Sequence, residues 1–203
     1  MDQNITISGE GNCITFQETK NNQLIGGEIK IKGNNNKITV MKGSLLNNFS
    51  ILIESNNNEI LIGENCRLSG KLIMKLTDGN RFTIGNKTTI GGANFICGEG
   101  KSISIGEDCM IAWGIEFRTT DSHAIINIEN NERINFGEDI VVHNHVWIGA
   151  HTTILKGASI NENTIIGIRS VVPSGEYKGN CIYAGVPAKL IKTNTTWDRK
   201  LLG

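Results

Sequence analysis

The chain has 203 residues, enough for one domain or at most two and long enough to bury a core. Lysine plus arginine and aspartate plus glutamate both number 20, so the formal charge is zero and no basic excess points to nucleic acid as a partner. The start, Met1-Asp2-Gln3-Asn4, lacks the pattern of a signal peptide, and no apolar stretch approaches the roughly 20 residues of an integral membrane segment, so a cytoplasmic location is expected.

In the first part of the chain, residues 1–104, four short motifs recur: Gly-Asn-Cys-Ile-Thr-Phe (11–16), Asn-Asn-Lys-Ile-Thr-Val (35–40), Asn-Asn-Glu-Ile-Leu-Ile (57–62) and Gly-Asn-Arg-Phe-Thr-Ile (79–84). Their first apolar positions, 14, 38, 60 and 82, step by 24, 22 and 22 residues, as expected for degenerate coils of a repeat with small insertions. Glycine (24 residues) and clustered asparagine tolerate φ > 0, so the chain turns often and an all-β protein is expected. The asparagines are expected to cap turns rather than to stack as ladders. Ile84, Ile90 and Ile96 share one six-residue phase, and Ile105, Ile111 and Phe117 another. The five cysteines (Cys13, Cys66, Cys97, Cys109, Cys181) are scattered without a C-x-x-C pair, which suits free, mostly buried thiols.

From 105 to 175 the repeat becomes regular. Apolar residues at Phe136, Val142, Ile148, Ile154, Ile160, Ile166 and Val172 follow one another every six residues, with slim side chains two positions earlier at Val146, Thr152, Ala158, Thr164 and Ser170. Neither the 3.6 period of a helix nor the period of 2 of a free strand produces a strict six. A short strand plus a sharp corner, repeated around a coil, does, and such coils must stack to bury their apolar faces. The single long break is a loop at 121–133, and His123 lies at its base, where a rigid scaffold can present a reactive group. Residues 176–203 form a C-terminal segment whose tail, Thr193–Gly203, is expected to wrap a neighbour or fray. The whole chain reads as a single solenoid domain.

The stretch 134–191 resembles the sugar O-acetyltransferase branch of the hexapeptide-repeat acyltransferases, which holds galactoside and maltose acetyltransferases and capsule O-acetyltransferases acting on polysialic acid. The matching residues are Val146-Trp147-Ile148-Gly149-Ala150, the hexads to Val172 and Ala184-Gly185-Val186-Pro187-Ala188-Lys189. Upstream, Thr119-Thr120-Asp121-Ser122-His123 is similar to the segment before the family's extruded loop, and His123 precedes Trp147 by 24 residues. Ala124 stands where relatives carry proline, and Ile168 where they carry a small residue.

The resemblance implies a left-handed parallel β-helix, assembled as a homotrimer with active sites between subunits, that uses acetyl-CoA and a glycan. His123 and Trp147 would be the catalytic residues. Gly149, Ala150, Gly167 and Ile168 would hold the pantetheine, with Lys189 and Lys192 near the phosphates. Arg118, Asp121 and His145 would contact the acceptor. A sugar hydroxyl is a poor nucleophile at neutral pH, and an imidazole is the side chain suited to take its proton. Direct attack is preferred, because no Cys or Ser shows the activating neighbours of a covalent route. Trp147 also suits a packing contact, Asp121 a turn cap and Arg118 a solvated surface. His143, His145 and His151 raise the question of zinc, and no metal is expected. The competing functions are acetylation of an antibiotic, serine or amino sugar on the same fold, or a non-enzymatic β-helix surface.

Overall fold

The computed structural model describes residues 4–18 and 23–203. The described chain is nearly all β, wound as a left-handed parallel β-helix of about seven turns. Each strand pairs in parallel with the equivalent strand one coil away, and the C-terminal strands Cys181–Gly185 and Ala188–Thr193 close the end as an antiparallel hairpin.

The six-residue period works by sending successive apolar residues to three faces in turn. One buried column runs Leu46, Leu68, Ile90, Ile111, Ile148, Ile166 and Tyr183. A second runs Ile51, Leu72, Phe95, Phe117, Ile154 and Val172. A third runs Val40, Ile62, Ile84, Ile105, Val142, Ile160 and Tyr177. Each such side chain contributes about 1.5–3 kcal/mol when buried. The slim residues Val146, Thr152, Ala158, Thr164 and Ser170 are all buried, as their spacing predicts. Ile14, Ile38, Ile60 and Phe82 of the upstream motifs pair in register.

The corners are made by left-handed residues. Asn65, Lys87, Asp108, His145, Asn163 and Asn180 succeed one another down one corner with φ between 50° and 61°. His151 and Arg169 sit at another corner with φ of 58° and 56°. A non-glycine residue in this region costs about 1–2 kcal/mol, which the coils above and below must offset.

Two expected hexad positions fail. Phe136 is 62% exposed, because the loop runs on past it and its ring lies beneath the Arg133 guanidinium, 5.0 Å away. Ile96 is half-buried, because the strand Thr89–Gly98 shifts register between Ile90 and Ala93 and puts Phe95 into the core instead. There Phe95 meets Phe82 at 4.9 Å and Phe117 at 4.8 Å between ring centres.

The asparagine expectation is also corrected. Asn35 and Asn57 do take left-handed turn conformations. Their neighbours, however, stack as a ladder: Asn36 Nδ2 donates to Asn12 Oδ1 (3.0 Å), Asn58 Nδ2 to Asn36 Oδ1 (2.7 Å) and Asn80 Nδ2 to Asn58 Oδ1 (2.8 Å). Asn36, Asn58 and Asn80 are buried, so each amide satisfies the one beside it in a place water does not reach.

The ladder fills a widened corner. Eleven residues take the chain from Ile51 on the second face to Ile62 on the third, whereas six suffice from Ile154 to Ile160. At the same corner, Phe117 and Val142 are 25 residues apart, and the long loop leaves the coil there. The loop is an enlargement of the corner that asparagine fills upstream.

Candidate active site

The loop leaves the coil after two fully buried threonines, Thr119 and Thr120. Thr119 Oγ1 accepts from the Gly98 N–H (2.9 Å), and Thr120 Oγ1 accepts from the Ser122 N–H (3.0 Å). Ser122 has φ of 65°, which turns the chain outward and leaves His123 exposed. Beyond it the loop is hairpin-like: Ile126 bridges Arg133, and the Asn127 N–H donates to the Glu132 carbonyl (2.8 Å).

Two ion pairs hold the loop to coils on either side. Upstream, Glu99 receives Arg133 Nη2 (2.8 Å), the Gly137 N–H (3.1 Å) and the Thr120 hydroxyl. Its carboxylate is only 15% exposed, and the Arg133 guanidinium holds its pKa down to about 2. Downstream, Lys156 Nζ donates to Asp121 Oδ2 (2.5 Å). That ammonium, and secondly the Asn135 amide, keep the Asp121 carboxyl below the usual range.

The Glu99 shift fixes a pH dependence. A carboxylate whose folded value is lowered adds stability above its ordinary value of 4.5 and loses it as pH falls toward about 2. Protection of the loop amides against exchange, taken relative to the free-peptide rate at each pH, should therefore fall as the pH drops through that window. The same profile for Glu99→Gln should start from weaker protection at neutral pH and fall less through that window, where the Asp121–Lys156 pair still titrates.

Arg118 and Asp121 lie at this end of the loop. Arg118 is half-buried and pairs with Glu116 (2.7 Å). Asp121 faces Lys156 and Asn135. Neither Asn135 nor Lys156, nor the Glu99–Arg133 pair, stands out in the sequence, because their partners lie 14 to 35 residues away and meet only when the coil is wound.

Trp147, Gly149, Gly167 and Ile168 line one apolar groove of about 510 Å³, with Trp113 and Met110 among the other walls. Ala150 lines it too. Trp147 is 38% exposed, Trp113 and Ile168 63% each. The coil is tight beneath this floor: a Cβ on Gly149 would come within 2.7 Å of the Ile168 nitrogen. The Gly149 and Gly167 N–H groups donate to Ile166 and Tyr183 carbonyls of the next coil, both at 2.8 Å. Lys189 and Lys192 are exposed on the terminal hairpin, opposite Ala184 and Ile182.

His145 has an aromatic neighbour within the chain. Its ring stacks on Trp197 at 4.3 Å with 9° between planes, and its carbonyl accepts from Trp197 Nε1 (2.9 Å). Trp197 also lies 6.2 Å from Trp147. Arg199 continues the contact, donating to Asp108 Oδ1, Thr89 Oγ1 and the Cys109 carbonyl, each at 2.9 Å. The tail thus folds back along its own coils, where fraying or wrapping of a neighbour is the sequence expectation.

Two of the buried cysteines are unsuited to act as nucleophiles. Burial pushes the Cys97 thiol up to about 12 and Cys109 up to about 11, so neither is a thiolate near neutral pH. Among the described residues, no three His, Cys, Asp or Glu side chains converge as a metal site, and no helix is long and apolar enough to cross a membrane.

No protein-family model matches the chain. A polysialic acid O-acetyltransferase of Neisseria meningitidis is 39% identical over 197 residues, which span 97% of this chain and 80% of the relative. The crystal structure of the polySia-specific acetyltransferase NeuO superimposes with a TM-score of 0.86 at 30% identity, covering 97% of this chain and 88% of that one. A galactoside acetyltransferase in complex with coenzyme A shares the fold, with a TM-score of 0.53 at 23% identity over 66% of this chain and 65% of that one. The chain is an acyltransferase and belongs to the hexapeptide-repeat O-acetyltransferases, in the family that holds the polysialic acid O-acetyltransferases.

Proposed function

We propose that this enzyme moves an acetyl group from acetyl-CoA to a hydroxyl of a sialic-acid-containing surface polysaccharide, with His123 as general base. The observation that carries the reading is the near full-length likeness to a polysialic acid O-acetyltransferase, joined to an exposed His123 on a loop fastened at both ends.

The apolar groove suits a pantetheine arm, and the exposed Lys189 and Lys192 suit its phosphates. Since the Gly149 and Gly167 N–H groups serve the coil ladder, donors to a ligand there fall to Ala150 and Ile168. When bound, acetyl-CoA supplies the activated carbonyl. His123 takes the proton of the acceptor hydroxyl as that oxygen attacks, and the imidazolium then returns the proton to the departing sulfur. Trp147 walls the groove in which the two substrates meet. Arg118 and Asp121 flank the acceptor side, and His145 sets the corner behind it.

The exposed Ile125, Ile128, Ile134 and Phe136 of the loop, and Trp113 and Ile168 of the groove, form apolar surface that a second subunit would cover. This supports association with further copies, and with it the reading of a homotrimer with sites between subunits; a cytoplasmic location is part of the same proposal.

Purified protein with acetyl-CoA should release free CoA when given polysialic acid, and not when given maltose, galactosides or chloramphenicol. Release with one of the latter alone would overturn the acceptor assignment.

A further inference from the structure

Asn135 stands on the return side of the loop, only 8% exposed, and its amide makes four contacts. Nδ2 donates to Asp121 Oδ2 (2.7 Å) and to the His123 carbonyl oxygen (2.8 Å). Oδ1 accepts from the Ile125 N–H (2.7 Å) and from Arg133 Nε (3.3 Å). One side chain therefore grips the carbonyl of His123 and the N–H two residues on. The hydrogen bond that ties His123 to the exit of the loop runs through its own backbone, so the peptide from which the exposed imidazole projects is fixed there.

Lys156 anchors this grip to the scaffold. It follows Leu155, which pairs with Arg118 one coil away, and its side chain is 17% exposed. Its ammonium donates to Asp121 on the entry side of the loop and to the Asn135 carbonyl (3.0 Å) on the exit side. Entry, exit and the coil beyond are joined at one point beside the His123 peptide.

We propose that Asn135 and Lys156 are positioning residues for acetyl transfer, holding the His123 backbone, together with Asp121, at the angle from which its imidazole meets the acceptor hydroxyl. The proposal rests on His123 being the general base. Misplacing a reacting group by about 1 Å can cost on the order of 10²-fold in rate, even when the change lies outside the chemistry. The ammonium of Lys156 is matched by the Asp121 carboxylate, so geometry rather than charge is what these residues supply.

The test uses the full chain with acetyl-CoA and polysialic acid. Asn135→Ala and Lys156→Met should each lower kcat by about 10–10²-fold, with KM for acetyl-CoA within about twofold of the parent. Lys156→Arg should recover most of the loss. In a His123→Ala background the same changes should cost nothing further, since there is no imidazole left to aim. Amide exchange at Ile125 should quicken in Asn135→Ala, a readout that needs no acceptor. Should Asn135→Ala fail to fold, Lys156→Met carries the same comparison. Full kcat in folded Asn135→Ala and Lys156→Met would overturn the positioning role and leave the base assignment standing. Unchanged Ile125 exchange in folded Asn135→Ala, or equal losses with and without His123, would overturn it as well. An active His123→Ala enzyme would instead remove the base assignment on which it rests.

Discussion

Replacing His123 by alanine is expected to slow acetyl transfer by about 10²–10⁴-fold, the range that general-base assistance supplies. The fold should not notice the change. The side chain is exposed, and the bond that secures this stretch uses the His123 carbonyl oxygen, which alanine keeps. Exposed substitutions of this kind stay within about 0.5 kcal/mol of the parent in stability. The loss should fall on kcat, with KM for acetyl-CoA little changed, because the groove that would hold the pantetheine is built from other residues. Rates measured with the released thiol, beside a thermal melt of the same sample, decide it. A His123→Ala protein that melts normally and acetylates normally would exclude the mechanism.

Asn58→Ala should have the largest effect on stability, about 3 kcal/mol or more. Asn58 is 1% exposed and stands in the middle of the ladder. Its Oδ1 accepts from both the N–H (3.0 Å) and the side-chain amide (2.8 Å) of Asn80, and its Nδ2 donates to Asn36 Oδ1 (2.7 Å) and Ser55 Oγ (3.0 Å). Alanine leaves the Asn80 N–H unpartnered in the core and opens a void, and a buried orphan alone costs about 1–3 kcal/mol. Asn58→Asp separates the two halves of the argument. It keeps the acceptor toward Asn80 but turns a charged oxygen toward Asn36 Oδ1, so it should be no better than alanine and should improve at low pH, when the carboxyl regains a proton. Equilibrium denaturation of the three proteins checks this, and an alanine variant as stable as the parent would show the ladder to be dispensable.

The solenoid was legible in the sequence because its period is written in consecutive residues. Val142 to Val172 needs only a count of six, and each counted side chain is buried. The count misleads where the backbone departs from the repeat: at Ile96, three residues past a register shift, and at Phe136, still outside the coil. The asparagine ladder was visible as a composition and misjudged as a structure. Asn35 and Asn36 are neighbours in sequence, yet one takes the left-handed turn and the other enters the stack, and only the winding decides which. For the site, His123 and Trp147 gain their meaning from the resemblance to a family, which attaches to their type and spacing. Glu99, Asn135 and Lys156 have no such mark, since a glutamate, an asparagine and a lysine are unremarkable until coils above and below the loop bring them to it.

The returning tail has a consequence for how the molecule is assembled. Every parallel pairing in the solenoid joins one coil to the next, so winding can proceed step by step through contacts of short sequence separation. Arg199 reaches Thr89, 110 residues back, and the Lys87 carbonyl, 112 residues back. That contact cannot form until every coil in between has been laid down in register, and a slip of one corner would carry Asp108 out of reach. The docked Trp197–Arg199 segment is therefore a clasp that only a correctly wound chain can fasten, and unwinding from this end has to begin by releasing it.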